Sequence, residues 1–475
     1  MRAERLIVEQ FNFLNFKTVH IKKMVNNHGY AKIIGQIDEQ DEQEYINKCV
    51  SELAVNISII DENGSHENFF CGILQDIQIH SQDGFRLLEI EIVSYTKLMD
   101  LQEKTFSYQN AEMTFDELLD FVKKPYDDSN YVMTKGQGET LKELIVQYRE
   151  TDWNFCKRMA SHFNTIIVPE FLKGGVKFHF GIPTPQNNLD IKPIYYTIQK
   201  SNHEFLYKSK NKVEGIMGND STYYEITSRE ILHIGDKINF KGKSLRVYNA
   251  IFEWTNEQLM NTYQLKPETG FLVPKYYNNA IMGASLEGEI IDVKNDLVKT
   301  HLYVDEKQEI DTAKWFDYST VYSSPDGAGW YAMPEIDDNV RLYFPTEIEK
   351  ESYVISAVHV DDSTGSNRIN PNDKSIYTIF NKEILLQKDA IYITNHKDSM
   401  IILDDEEGIS LRSKYKIKFI AKENISVISD NEKVELLGKK GIYATDNDTL
   451  MYLEENKTVL KGSNVLIDKK AKGVN

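Results

Sequence analysis

Between about Ser375 and Asp468, short apolar pairs recur every eight residues. From Ile393 the series runs Ile401/Leu403, Ile409/Leu411, Ile417/Phe419 and Ile425/Val427; after one extra residue it continues with Val434/Leu436, Ile442/Ala444 and Leu450/Tyr452. Members of a pair lie two apart, the strand period. Both therefore point to one side, while Ser410, Lys418, Ser426, Glu435 and Tyr443 point to the other. The i, i+3, i+4, i+7 spacing of a helix is not met over even two turns. Gly408, Asn424 and Gly441 each stand one residue before a pair, and Gly and Asn tolerate positive φ best. Each octad predicts one short strand and a turn.

One chain wound this way would keep a narrow apolar face and open strand edges, which proteins normally cover or pair. Burying an Ile or Leu contributes about 1.5–3 kcal/mol, against about 1–2 kcal/mol for fixing each backbone residue. A strand buried on one side only is then marginal. The repeat predicts an intertwined β-prism, a triple-stranded β-helix of three chains. Its axis would be packed by Ile393, Ile401, Leu403, Ile409, Leu411, Ile417, Phe419, Ile425, Val427, Val434, Leu436, Ile442 and Leu450. An ordinary meander or a single-chain solenoid is the alternative that spacing leaves open.

The 475 residues give length for about three domains. Asp+Glu 73 against Lys+Arg 55 leaves a net charge of −18, which argues against a nucleic-acid grip. Cys49, Cys71 and Cys156 are odd in number and far apart, so they read as free or buried thiols. Met1 to Gln10 has no apolar core of a secretory signal, and no run of 18 apolar residues predicts a transmembrane helix.

The chain is mainly β with a helical insertion. Residues 1–110 predict a first β-barrel, with alternation clear at Ile73, Gln75, Ile77 and Ile79. Residues 111–163 predict three amphipathic helices. A capping box at Thr114 and Glu117 opens the first, Leu141, Leu144, Ile145 and Tyr148 stripe the second, and Asp152 caps the third. Residues 164–280 predict a second barrel. Residues 281–360 predict five strands, a number that suits a small barrel of the oligonucleotide/oligosaccharide-binding (OB) type. Residues 361–374 read as a linker and 375–475 as the needle.

This order of parts resembles the hub-and-spike proteins of contractile injection machines: the VgrG spikes of type VI secretion, phage late-control tail proteins and the hubs of phage-tail bacteriocins. Residues 69–95, FFCGILQDIQIHSQDGFRLLEIEIVSY, are similar to the family's F-x-G-x-V hairpin. Residues 147–168, QYRETDWNFCKRMASHFNTIIV, are similar to its QY-x-E-(S/T)-D-x-x-F-x-x-R helix, and residues 329–344, GWYAMPEIDDNVRLYF, to its G-W-x-x-x-P-x-x-G-D-E-V-x-V-x-F stretch. Asn164 and Asp337 stand where the family has Gly, and both can adopt the left-handed conformation. The resemblance implies a homotrimer whose two barrels per chain form a six-fold-like ring on the tail tube, with an OB collar and a needle. Its partners would be the tube protein ring, baseplate wedge proteins and a separate tip protein. It would be made in the bacterial cytoplasm without a signal peptide and act outside on a target envelope.

No catalytic, cofactor or metal site is expected. The eleven histidines show no HExxH or H-x-H pattern, and Thr134 to Thr140 lacks the Lys-Ser/Thr of a phosphate loop. Glu150/Asp152, Asp337/Asp338 and Asp404 to Glu407 could be imagined as glycosidase pairs, but charge beside turns is usually solvated. The short linker leaves no room for a lysozyme-like insert, and Leu466 to Asn475 holds no His for an ion-binding tip. The expected function is a structural hub and membrane-puncturing spike. The alternative is a trimeric carbohydrate-degrading tailspike.

Overall fold

Alternation over the first hundred residues folds as strands. The computed structural model describes residues 3–49, 52–61, 64–82, 84–255, 258–356, 370–446, 448–454, 456–464 and 466. The chain divides into two units, Met1–Val360 and Asp361–Asn475. The first holds β1 (Ala3–Val8), β2 (Asn15–Met24), β3 (Tyr30–Ile37), the short helix α1 (Glu42–Asn47), β4 (Ala54–Asp61), β5 (His66–Gln82) and β6 (Phe85–Val93). They pair in the order β1-β4-β5-β6-β3-β2. Ala31, Ile33 and Ile37 of β3 point inward beside Leu88, Ile90 and Ile92 of β6 in one core.

The insertion runs through β7 (Glu103–Tyr108), α2 (Phe115–Lys123), β8 (Asn130–Met133), β9 (Ile145–Thr151), α3 (Asp152–Ser161), β10 (Ile167–Pro169) and β11 (Lys177–Phe180). The capping box of α2 forms as expected: Thr114 N–H donates to Glu117 Oε2 at 2.7 Å and Glu117 N–H to Thr114 Oγ1 at 3.2 Å. The second predicted helix does not form: Ile145 and Tyr148 lie in β9, and Leu141 and Leu144 precede it. Leu144 and Val146 join the core of β18 to β22, described below, whereas Ile145 joins the core of the helices. A strand apolar on both faces can mimic a helical stripe over a few residues. The cap of α3 is Thr151, whose hydroxyl accepts from Asn154 N–H at 3.2 Å, and Asp152 is the first helical residue instead. Asn164 has φ +51°, so the turn after α3 keeps the left-handed geometry that Gly would supply.

The next stretch holds β12 (Asn188–Asp190), β13 (Tyr195–Lys200), α4 (Asn202–Lys210), β14 (Thr222–Ser228), β15 (Lys237–Phe240), β16 (Lys243–Thr255) and β17 (Gln258–Lys266). Helix α4 was not expected. The two stretches expected as barrels map onto the halves of a single twelve-stranded sheet, joined where β2 runs antiparallel to β16 from Val19↔Trp254 to Met24↔Asn249.

Five strands follow: β18 (Ser285–Lys294), β19 (Leu297–Leu302), β20 (Trp315–Asp317), β21 (Asn339–Tyr343) and β22 (Tyr353–Ser356), in the order β20-β19-β18-β21-β22. A parallel bridge between Tyr318 and Val354 brings the two ends of this sheet together. Asp337, at φ +71°, turns the chain into β21.

The second unit opens with a five-stranded antiparallel meander: β23 (Lys374–Thr378), β24 (Lys382–Leu386), β25 (Ala390–Thr394), β26 (Ser399–Asp404) and β27 (Gly408–Ser413). A three-stranded meander follows: β28 (Ile442–Asp446), β29 (Thr449–Glu454) and β30 (Lys457–Lys461). Most of the predicted linker lies outside the described residues.

Candidate assembly interface

The register of the five-stranded meander collects the octad residues on one face. Ile384 lies opposite Ile393, Ile393 opposite Ile401, Ile401 opposite Leu411, and Leu403 opposite Ile409. Directly opposed residues share a face, so the alternation read from the sequence is realised across four strands. The same face holds a groove of about 550 Å³ lined among others by Ile376, Ile384, Ile393, Ile401, Leu411 and Ile417.

Among the described residues of the second unit this face is left uncovered. Leu403 is 38% exposed and Ile409 73%. Among the described residues, the three hydrophobic cores lie within residues 6–354. Among the described residues of the second unit only Glu383 and Ala390 are buried. Exposed Ile and Leu side chains grouped on one face point to an interaction site.

The other expected axis residues are placed differently. Ile417, Phe419, Ile425, Val427, Val434 and Leu436 lie between β27 and β28, where the described residues form no strand, and all are exposed. Ile442 pairs with Leu453 and Leu450 with Thr445. The two therefore fall on opposite faces of their sheet, because the turn after β28 shifts the phase by one residue. Gly408 and Gly441 adopt positive φ at their turns, and Asn424 does not.

The acidic clusters of the sequence are engaged locally. Arg158, 3% exposed, donates through Nε and Nη2 to the Glu150 carboxylate at 3.0–3.1 Å and through Nη1 to Glu349 Oε1 at 2.9 Å. Burial disfavours its charge, but the two carboxylates hold the guanidinium above its usual pKa. Asp152 accepts from Lys104 Nζ at 2.5 Å, Tyr126 Oη at 2.6 Å and Gln147 Nε2 at 2.8 Å. The Glu, Asp and Arg of the QYRETDWNFCKR stretch thus fasten α3 to β9, β7 and the segment before β22. Asp338 accepts from Glu335 N–H at 2.8 Å, and Asp404 from Glu406 and Glu407 N–H at 3.0 and 2.9 Å. In the loop Thr134 to Thr140, the Gly138 N–H that a phosphate would need donates to Asp116 at 2.7 Å. Among the described residues no group of three or more His, Cys, Asp or Glu could hold a metal ion. No helix among them is long and apolar enough to cross a membrane.

With β7, α2, β9 and α3 placed, the sequence comparison bears on the same stretch. Residues 48–167 match the phage tail baseplate hub family. The matched stretch takes in β4 to β9 and α3, with Arg158 and Glu150 but not Glu349. The chain is similar in fold to an E. coli component of the type VI secretion system that itself resembles the T4 bacteriophage tail proteins gp27 and gp5. That likeness has a TM-score of 0.52 at 12% identity and covers 74% of this chain and 99% of that one. It is similar also to the Francisella PdpA–VgrG complex in its lidded form, with a TM-score of 0.54 at 13% identity over 84% of this chain and 76% of that one. The half-lidded form gives 0.52 at 12% identity, covering 84% and 83%. No curated protein matches the sequence. These likenesses are of fold, and the family match covers the stretch from β4 to α3.

Proposed function

We propose that the chain is a non-enzymatic, homotrimeric hub and spike that joins a tail tube to a needle and pierces a target envelope when a sheath contracts. The observation that carries this reading is the uncovered apolar face of β23 to β27. Three copies wound about a common axis would bury Ile393, Ile401, Leu403, Ile409 and Leu411 against their counterparts, at about 1.5–3 kcal/mol for each side chain. The two halves of the twelve-stranded sheet would be the hub barrels that meet the tube ring. The order of β18 to β22, with its parallel closure, favours an OB-type collar. Baseplate wedge proteins and a separate tip protein would be further partners. The protein would be made in the cytoplasm and act on the outside of a target cell.

The carbohydrate-degrading tailspike is disfavoured, because Glu150 is committed to Arg158 and Asp152 to Lys104. An epitope placed in the exposed turn Asp405–Glu407 and labelled with gold antibody should mark the distal end of purified tail-like particles by electron microscopy. Label along the sheath, or particles free of it, would contradict the reading.

A further inference from the structure

Arg246 stands on the face of β16 opposite the one that sends Leu245 and Val247 into the core. It lies directly across from Lys237 of β15 and Lys266 of β17. Three cations thus stand abreast on one face of three adjacent strands. Like charges placed opposite one another destabilise a sheet unless something neutralises them.

The carboxylates nearby do so only in part. Glu204 of α4 is shared, accepting from Lys266 Nζ at 3.0 Å and pairing with Lys208 Nζ at 2.8 Å. Burial lowers the pKa of Lys266 against the pull of Glu204, and Lys208 lowers it further. Glu268 is 64% exposed, and its Oε2 stands 3.6 Å from Arg246 Nε, beyond hydrogen-bond range. The next carboxylate on this face, Glu225, is exposed and lies on β14 opposite Gln264. The Arg246 side chain is only 8% exposed, and it makes one hydrogen bond, from Nη2 to the Pro183 carbonyl at 3.3 Å. Its Nε and Nη1 are buried without a hydrogen-bond partner. Buried donors are nearly always bonded, and a guanidinium offers its donors in a fork that matches the oxygens of a phosphate-like anion.

We infer that Arg246 anchors a binding site for a small tetrahedral oxyanion of the phosphate or sulfate class, which takes the place of Glu268 at the Nε edge of the guanidinium. Glu268 can swing into solvent without breaking a hydrogen bond to Arg246. The oxyanion then accepts from the guanidinium in the field of Lys237 and Lys266. With a net charge of −18 the chain repels anions at long range, so the affinity comes from these few residues. Arg246 reaches the loop at Pro183, and Lys266 reaches α4 through Glu204. An occupied site would clasp that loop and α4 onto β15 to β17. All of these residues belong to one chain, so the site does not depend on how copies assemble.

Isothermal titration calorimetry of the full chain tests it, with inorganic phosphate and sulfate as ligands at fixed ionic strength and acetate as a carboxylate probe. Saturable binding of the tetrahedral anions at one site per chain is expected, with no heat from acetate. Arg246→Met should abolish binding. Glu268→Gln, which removes the competing carboxylate, should bind about fivefold tighter, the weight of one like charge removed at ~4 Å in water. Lys237→Met should bind more weakly, and these last two variants decide the matter if Arg246→Met does not fold. No saturable heat in the wild type, unchanged affinity in Glu268→Gln and Lys237→Met, or binding that survives Arg246→Met would each overturn the site. Acetate binding as tightly as phosphate would overturn its assignment to tetrahedral anions.

Discussion

Arg158 shows what single residues do in this molecule. Its guanidinium is flanked by Glu150 and Glu349, both nearly buried, so removing it strands two carboxylates away from water. Breaking a buried pair from one side costs about 3–5 kcal/mol. Arg158→Ala should lower stability by that order in denaturant titration. Lys142→Ala, which removes an exposed pair with Glu139, should change it by about 0.5 kcal/mol or less. The histidines give a second expectation. Burial lowers His28 and His233 to about 4, in His28 against the pull of Asp100. In the unfolded chain both would titrate near 6.5. Between about pH 6.5 and 4 the unfolded state therefore binds more protons, and stability falls as pH falls through that window. Unfolding midpoints across it should drop for the wild type and drop less for His28→Asn. A flat profile would contradict the burial of these rings. Asn164 and Asp337 were legible as left-handed turn residues from the sequence. The partners of Arg158 were not, because Glu349 is 191 residues away.

At the scale of elements, local chemistry was readable and sandwiching was not. The capping box of α2 and the octad strands depend on neighbours in sequence. β9 has cores on both faces, so its apolar pattern carries no period-two alternation and imitates a helix. The meander makes a sharp prediction about faces. Ile409 and Ser410 are adjacent in β27, and Ser410 lies opposite Ile402 on the other side. On a lone chain, Asp at either position would meet water. In the proposed trimer, Ile409→Asp brings three unpaired carboxylates to the axis, each costing several kcal/mol, and should abolish assembly in size-exclusion chromatography, whereas Ser410→Asp should leave it intact. Equal behaviour of the two variants would refute the assignment of the inner face.

At the scale of the whole molecule, the described residues of the first unit form three cores and those of the second form none. The octads point to this imbalance, since a narrow apolar face repeated along a chain leaves side chains that proteins normally cover. The joining of the two expected barrels into one sheet was not announced, because the β2–β16 contact spans more than two hundred residues and is made by backbone hydrogen bonds that any side chains permit. The hub and spike reading requires this face to be a contact between copies. Sedimentation equilibrium of the purified full chain at micromolar concentration measures that contact. Three times the chain mass of 55.0 kDa is expected, and a stable species of one chain mass would overturn the trimer.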